Sequence, residues 1–141
     1  MFDVIMVPVD GSDYGYEAAN VAIELAQKFS SKIAAVHVLE EFSLNSFDLQ
    51  EDSGDEILAK ITEKAGKVGV EVVEHLLTAD PLRDMKFIVN QTRADLVVIH
   101  AHGSHDKRFV SFEENEVSDT QIGSVSERLL RTCEVPVLLI K

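Results

Sequence analysis

Val4-Ile5-Met6-Val7-Pro8-Val9-Asp10-Gly11-Ser12 is the stretch that decides the fold. Residues 4–9 are an unbroken apolar run rich in β-branched side chains. They stop at Asp-Gly-Ser, the composition of a turn, so they read as a buried strand that ends in one. The period then changes. Ala18, Val21, Ala22, Leu25, Ala26 and Phe29 recur at i, i+3, i+4, i+7, i+8 and i+11, the stripe of a helix packed on a sheet. Residues 33–39 return to strand character, closing a β-α-β unit.

The same alternation continues to the end of the chain. After an acidic stretch, Ile57, Ile61, Ala65 and Val68 mark a second helix that stops near Gly66 and Gly69. Residues 70–77 follow as a strand; Glu71 and Glu74 interrupt its apolar pattern, which places it near the sheet edge. Asp80-Pro81 is a cap followed by proline at the first helical position, and Leu82, Met85, Ile88 and Val89 carry on the stripe. Residues 96–99, apolar on both faces, read as a central strand. A long polar loop occupies 102–121, Ile122, Val125 and Leu129 open a last helix, and residues 135–140 form a final strand around Pro136. The order β-α-β-α-β-α-β-α-β over one domain, residues 1–141, requires parallel pairing through right-handed crossovers. The fold class is therefore α/β, an open doubly wound sheet with helices on both faces, and ligands of such sheets bind beyond the carboxyl ends of the strands.

Composition narrows the function classes. A chain of 141 residues buries roughly 68% of its unfolded surface and needs no staple. Cys133 is the single cysteine, so there is no internal disulfide; among Leu129, Leu130 and Val135 it reads as a small buried hydrophobe. No apolar run approaches the ~20 residues of a membrane span, and the start lacks the pattern of an export signal. The expectation is a cytoplasmic chain with no membrane attachment. A net charge of -12 repels phosphate backbones, so no nucleic acid is expected as partner. Residues 40–56 hold Glu40, Glu41, Asp48, Glu51, Asp52, Asp55 and Glu56 with no Lys or Arg, and residues 104–121 hold Asp106, Glu113, Glu114, Glu116 and Asp119 against Lys107 and Arg108.

At the expected ligand rim, Asp10 ends the first strand, where its carboxylate can accept from ribose hydroxyls or an amino group, or start the turn at Gly11-Ser12. Gly123-Ser124-Val125-Ser126 opens the last helix, where free N–H groups and the helix dipole suit an anion.

Taken as a whole, the chain resembles the universal stress protein family. The resemblance is carried by Val7-Pro8-Val9-Asp10-Gly11-Ser12, Ala35-Val36-His37-Val38, Ala79-Asp80-Pro81, Ala94-Asp95-Leu96-Val97-Val98-Ile99, Gly123-Ser124-Val125-Ser126-Glu127 and Val135-Pro136-Val137-Leu138. It implies a flavodoxin-like, three-layer α/β/α fold with five parallel strands in order 3-2-1-4-5. It also implies a homodimer formed through the C-terminal strand, an apolar edge that would otherwise stay unpaired.

Part of that family binds ATP or AMP through a Gly-x2-Gly-x9-Gly-[Ser/Thr] motif. By position, the resemblance assigns Pro8, Val9 and Asp10 to base and ribose, Val38 to adenine, and Gly103, Gly123, Ser124 and Val125 to the phosphates, with Mg²⁺ if the ligand is ATP. This chain departs from the motif twice. His100 stands where the first glycine belongs, and 19 residues separate Gly103 from Gly123 where the motif has nine. The insertion brings Glu113, Glu114 and Glu116 toward the phosphates, a repulsive arrangement that Mg²⁺ would bridge. Two readings follow: a nucleotide-binding stress or signalling module, or a non-nucleotide dimeric member that meets a protein partner through residues 104–121, including Phe109 and Phe112.

His100, His102 and His105 cluster after the fourth strand. His100 and His102 share strand parity, as two metal ligands would, but their spacing matches no strong metal signature, and no metal is assigned. Imidazoles titrate near neutrality, so the cluster also has the chemistry of a pH sensor. His37 and His75 read as packed or solvent-facing. With no Gly-x-Ser-x-Gly elbow and no P-loop, the chemistry open to the chain is at most slow hydrolysis of bound ATP, with Asp10 or a histidine of the 100–105 cluster positioning water.

Overall fold

A computed structural model describes residues 1–40, 47–103 and 122–141, with side chains described outside 47–52. Its elements run β1 (Val4–Pro8), α1 (Asp13–Phe29), β2 (Lys32–Glu40), α2 (Phe47–Gly66), β3 (Val72–Ala79), α3 (Pro81–Thr92), β4 (Leu96–His100), α4 (Ser124–Thr132) and β5 (Val137–Ile140). The strands form one parallel sheet in the order β3-β2-β1-β4-β5, the order the family resemblance implies.

Strand alternation sorts the core into two layers. Ile5, Val7, Ile33, Ala35 and Val98 face α1 and α2, meeting Ala18, Ala22, Leu58 and Ile61. Met6, Ala34, Val36, Val97 and Ile99 face the other way, onto Met85, Ile88 and Val89 of α3 and Leu129 of α4. The first two helices thus cover one face and the last two the other, because the chain winds outward to β3, crosses back under the sheet, and continues to β5. All five residues of β4 are buried, as a central strand requires, while β3 lies at the edge.

Local chemistry places the helix ends. The Ser12 side chain accepts from the Gly15 N–H at the start of α1, and Ser30, at φ 57°, closes it with an N–H to the Ala26 carbonyl. At α3 the Asp80 carboxylate takes the N–H groups of Leu82 and Arg83 at 2.8 and 3.1 Å, and Pro81 supplies the pre-set first turn.

Several boundaries differ from the sequence reading. β3 starts two residues late, at Val72, because its register is set by pairing with β2, from Ile33 with Val72 to Glu40 with Ala79. α2 begins at Phe47, so much of the acidic stretch expected as loop is helix. The hydrophobic pattern alone does not reveal such a start. Val68 and Ile122 are exposed outside the helices they were expected to join. Phe29 is half-exposed, edge-on to Phe2 at 5.5 Å. Cys133 is only half-buried against the α3 layer, and β5 starts at Val137. Among the described residues no helix is long and apolar enough to cross a membrane.

Candidate functional site

The opening in the sheet comes from an uneven pairing of β1. It stays with β2 from Val4 with Lys32 to Pro8 with Val36, and the Val9 N–H extends the contact to the Val36 carbonyl at 2.8 Å. With β4 it shares only Ile5 with Leu96 and Met6 with Val97. β1 and β4 therefore part at their carboxyl ends, where the winding direction reverses, and a cleft of about 410 Å³ occupies the gap.

Pro8, Val36, Val38 and Ile99 give the cleft an apolar floor, and Asp80 and Met85 of the α3 side form one wall. Gly123, Ser124 and Val125 form another, while Asp10, His102 and Gly103 stand around it at the strand ends. All eight residues singled out from sequence, Pro8, Val9, Asp10, Val38, Gly103, Gly123, Ser124 and Val125, border this one cleft. Val36, Ala79, Met85 and Ile99 were missed. Each looks like an ordinary core residue, and only the parting of the strands turns it toward a cavity. Asp80 was read solely as a cap, although it also sits at the end of a strand, the position that drew attention to Asp10.

Asp10 has two roles. Its Oδ1 accepts from the Ser12 N–H at 3.0 Å and from the Ser12 hydroxyl at 2.5 Å, the turn-forming role, while the carboxylate still borders the cleft. Gly103 lies against its other oxygen.

The two helix N-termini at the cleft are not equivalent. At α3 the Asp80 side chain caps the first N–H groups. At α4 the cap is Gly123, with φ -58° and ψ 152°, which has no side chain to accept from them. That end of α4 is pinned from behind: the Gly123 N–H donates to the Ala101 carbonyl, and the buried Ser126 hydroxyl donates to the His100 carbonyl at 2.6 Å.

His100 does not obstruct the cleft as its bulk at a glycine position suggests. Strand alternation turns its ring toward α1, where it lies 4.7 Å from the Tyr14 ring and is 5% exposed. Its Nδ1 accepts from the His102 N–H at 3.0 Å, and its Nε2 is 3.3 Å from Glu17 Oε2. Because Nδ1 accepts, the neutral ring carries its proton on Nε2. With its one lone pair taken by the His102 N–H, His100 offers none to a water, which removes it from the hydrolytic role. No group of three or more His, Cys, Asp or Glu side chains suited to a metal occurs among the described residues. His37, half-buried, holds the Val9 carbonyl through Nδ1 at 2.8 Å. His105, Phe109, Phe112, Glu113, Glu114, Glu116 and the proposed partner surface at 104–121 lie outside the described residues.

Comparison with known proteins gives a consistent result. The model of the universal stress protein family matches residues 1–141. A universal stress protein of Methanocaldococcus jannaschii is 27% identical over 152 aligned positions, covering 100% of this chain and 83% of the relative. The structure of a universal stress protein from Archaeoglobus fulgidus in complex with dAMP superposes with a TM-score of 0.73 at 23% identity, over 100% of this chain and 98% of that one. A universal stress protein family protein from Arabidopsis thaliana with AMP bound gives 0.67 at 23% identity, over 98% and 90%. At these identities the structural likeness establishes the fold.

Proposed function

The chain belongs to the universal stress protein family, and from that premise we propose that its cleft binds an adenine nucleotide, AMP or Mg²⁺-ATP, as a stress-response or signalling module. The observation that carries this reading is the meeting, in one cleft of about 410 Å³, of three chemistries. Pro8, Val36 and Val38 offer an apolar slot for a flat base. Asp10 offers a carboxylate to ribose hydroxyls. The N-terminus of α4, with no side-chain cap of its own, offers backbone N–H groups to a phosphate. Relatives of the same fold from Archaeoglobus fulgidus and Arabidopsis thaliana bind dAMP and AMP, which supports the choice of adenine.

The proposed role is binding, with at most slow hydrolysis of bound ATP, in which Asp10 rather than His100 would position water, since the His100 Nδ1 is taken by the His102 N–H. Pairing of two copies through β5 belongs to the same reading: β5 has β4 on one side, and Leu138 is 39% exposed.

Thermal unfolding of the nucleotide-free protein with and without saturating AMP, and again with ATP and Mg²⁺, tests the reading. A ligand at a hundred times its Kd adds about 2.7 kcal/mol, which raises the midpoint of a chain this size by roughly 6 to 12 °C. That shift is expected, and is expected to vanish in Asp10→Ala; no shift with either nucleotide overturns the proposal.

A further inference from the structure

At the end of β4 a chain of close contacts runs from α1 to the mouth of the cleft. On α1, Glu17 Oε2 lies 3.3 Å from Nε2 of the buried His100. Nδ1 of the same ring takes the His102 N–H at 3.0 Å. The next residue, Gly103, lies against the Asp10 carboxylate with no room for a side chain. The Ser126 hydroxyl grips the His100 carbonyl, so the first turn of α4 is tied to the same point. A glycine at position 100, as the family motif has it, would leave both the His102 N–H and Glu17 without this partner.

We propose that His100 is a positioning residue: its neutral ring, oriented by Glu17, acts as a latch that holds the 101–103 backbone so that Gly103 and Asp10 face the nucleotide. The inference rests on the nucleotide reading of the cleft. It also makes the latch sensitive to protonation. Nδ1 can accept the His102 N–H only while it carries no proton. A second proton puts two N–H groups face to face, breaks the latch, and leaves the charged ring paired with Glu17. The groups facing the ring act in known directions. Glu17 favours the charged form. Tyr14 packs on the ring, and His102, its centroid 5.6 Å away, opposes a second charge once it is itself protonated. The Asp10 carboxylate stands beyond Gly103. α4 presents the neutral Ser126 hydroxyl, and β5 presents Ile140, followed by Lys141.

Asparagine is the informative substitute, because its side-chain carbonyl oxygen can accept the His102 N–H in place of Nδ1 and does not titrate. AMP affinity, measured by calorimetry from pH 8 to pH 5.5, is compared in wild type, His100→Asn, His100→Ala and Glu17→Gln; titration of the AMP phosphate is common to all four. In wild type the affinity is expected to fall about 2- to 12-fold more on acidification than in His100→Asn, the effect of one hydrogen bond. His100→Ala is expected to bind weakly throughout, and Asn to restore most of that loss at pH 8. Glu17→Gln, which keeps an acceptor but removes the charge that pairs with the broken form, is expected to lose less affinity than wild type between pH 8 and pH 5.5. Hydrogen exchange of the His102 amide without nucleotide reads the latch directly, with protection expected in wild type and Asn and loss of it in Ala. Overlapping pH profiles for wild type and Asn, or equal His102 exchange in all variants, overturn the latch while leaving nucleotide binding in place. No AMP binding by wild type at pH 8, with His102 exchange as expected, overturns the nucleotide reading and leaves the latch as a property of the rim.

Discussion

Gly103 stands so close to Asp10 that a β-carbon at position 103 would lie 2.8 Å from Asp10 Oδ2. The two residues are 93 positions apart in the chain, and the parallel pairing of β1 with β4 sets the two strand ends side by side at the mouth of the cleft. Gly103→Ala is therefore expected to push the Asp10 carboxylate off its bonds to Ser12, weakening AMP binding by about 1–3 kcal/mol, the usual cost of one extra methyl in a tight site. A double-mutant cycle with Asp10→Ala checks the cause. Once the carboxylate is gone the clash is gone, so the stability losses of the nucleotide-free variants are expected to be strongly non-additive in urea unfolding. Additive losses would place the effect of Gly103 elsewhere.

Acid stability follows from two carboxylates. The bidentate Arg83 side chain and then the Asp80 N–H lower the Asp84 carboxyl from 3.8 to about 2. For Asp95, burial works upward, but the N–H groups of Asp3 and Val4, at 3.0 and 3.1 Å, outweigh it and hold the group below its ordinary 3.8. Folded values below unfolded ones mean stabilisation that is complete above about pH 4 and is lost as pH falls toward 2. Urea midpoints measured between pH 7 and pH 2.5 are expected to drop in that window. Asp95→Asn is expected to lower stability at pH 7 and to flatten the profile; an unchanged slope would exclude Asp95 as a source.

Two glycines of α2 are expected to respond in opposite directions to alanine. At Gly54 an added β-carbon would lie 2.5 Å from Leu76 Cδ1 and 2.9 Å from His37 Cδ2. Leu76 can turn aside, but His37 is anchored to the Val9 carbonyl. Overpacking of about 1–3 kcal/mol outweighs the ~1 kcal/mol gain in helix propensity, so Gly54→Ala is expected to lower the unfolding midpoint. At Gly66 the β-carbon would meet nothing within 4 Å, and the substitution is expected to raise stability by about 0.5–1 kcal/mol. Denaturant titration of both variants checks the signs.

The β5 edge carries the dimer expectation. Val137, Leu139 and Ile140 are half-buried and Leu138 is exposed on a strand with a single neighbour among the described residues. Sedimentation velocity is expected to give twice the 15.6 kDa chain mass for wild type. Leu138→Lys, a charge on an edge strand, is expected to give the single chain. A monomeric wild type would remove the pairing from the proposal.

The sequence by itself determined the alternation of strands and helices, the parallel sheet, the central place of β4 and the cap at Asp80. These features are written in the spacing of apolar residues and in local turn chemistry, which act over a few residues and need no partner elsewhere in the chain. Boundaries were legible only as far as that local signal reaches. β3 shifted by two residues because β2 sets its register, and α2 reached back to Phe47 through acidic residues that carry no apolar stripe. The eight cleft residues were found through strand ends and a family motif, but their common cavity is decided by where β1 leaves β4. His100 shows the division most clearly. In sequence it is a bulky ring at a glycine position. In the fold, strand alternation turns it to α1, and Glu17, 83 positions earlier, meets it there. Spacing fixes which face of a strand a side chain takes, whereas the partner waiting on that face is decided by crossovers and packing across the whole sheet.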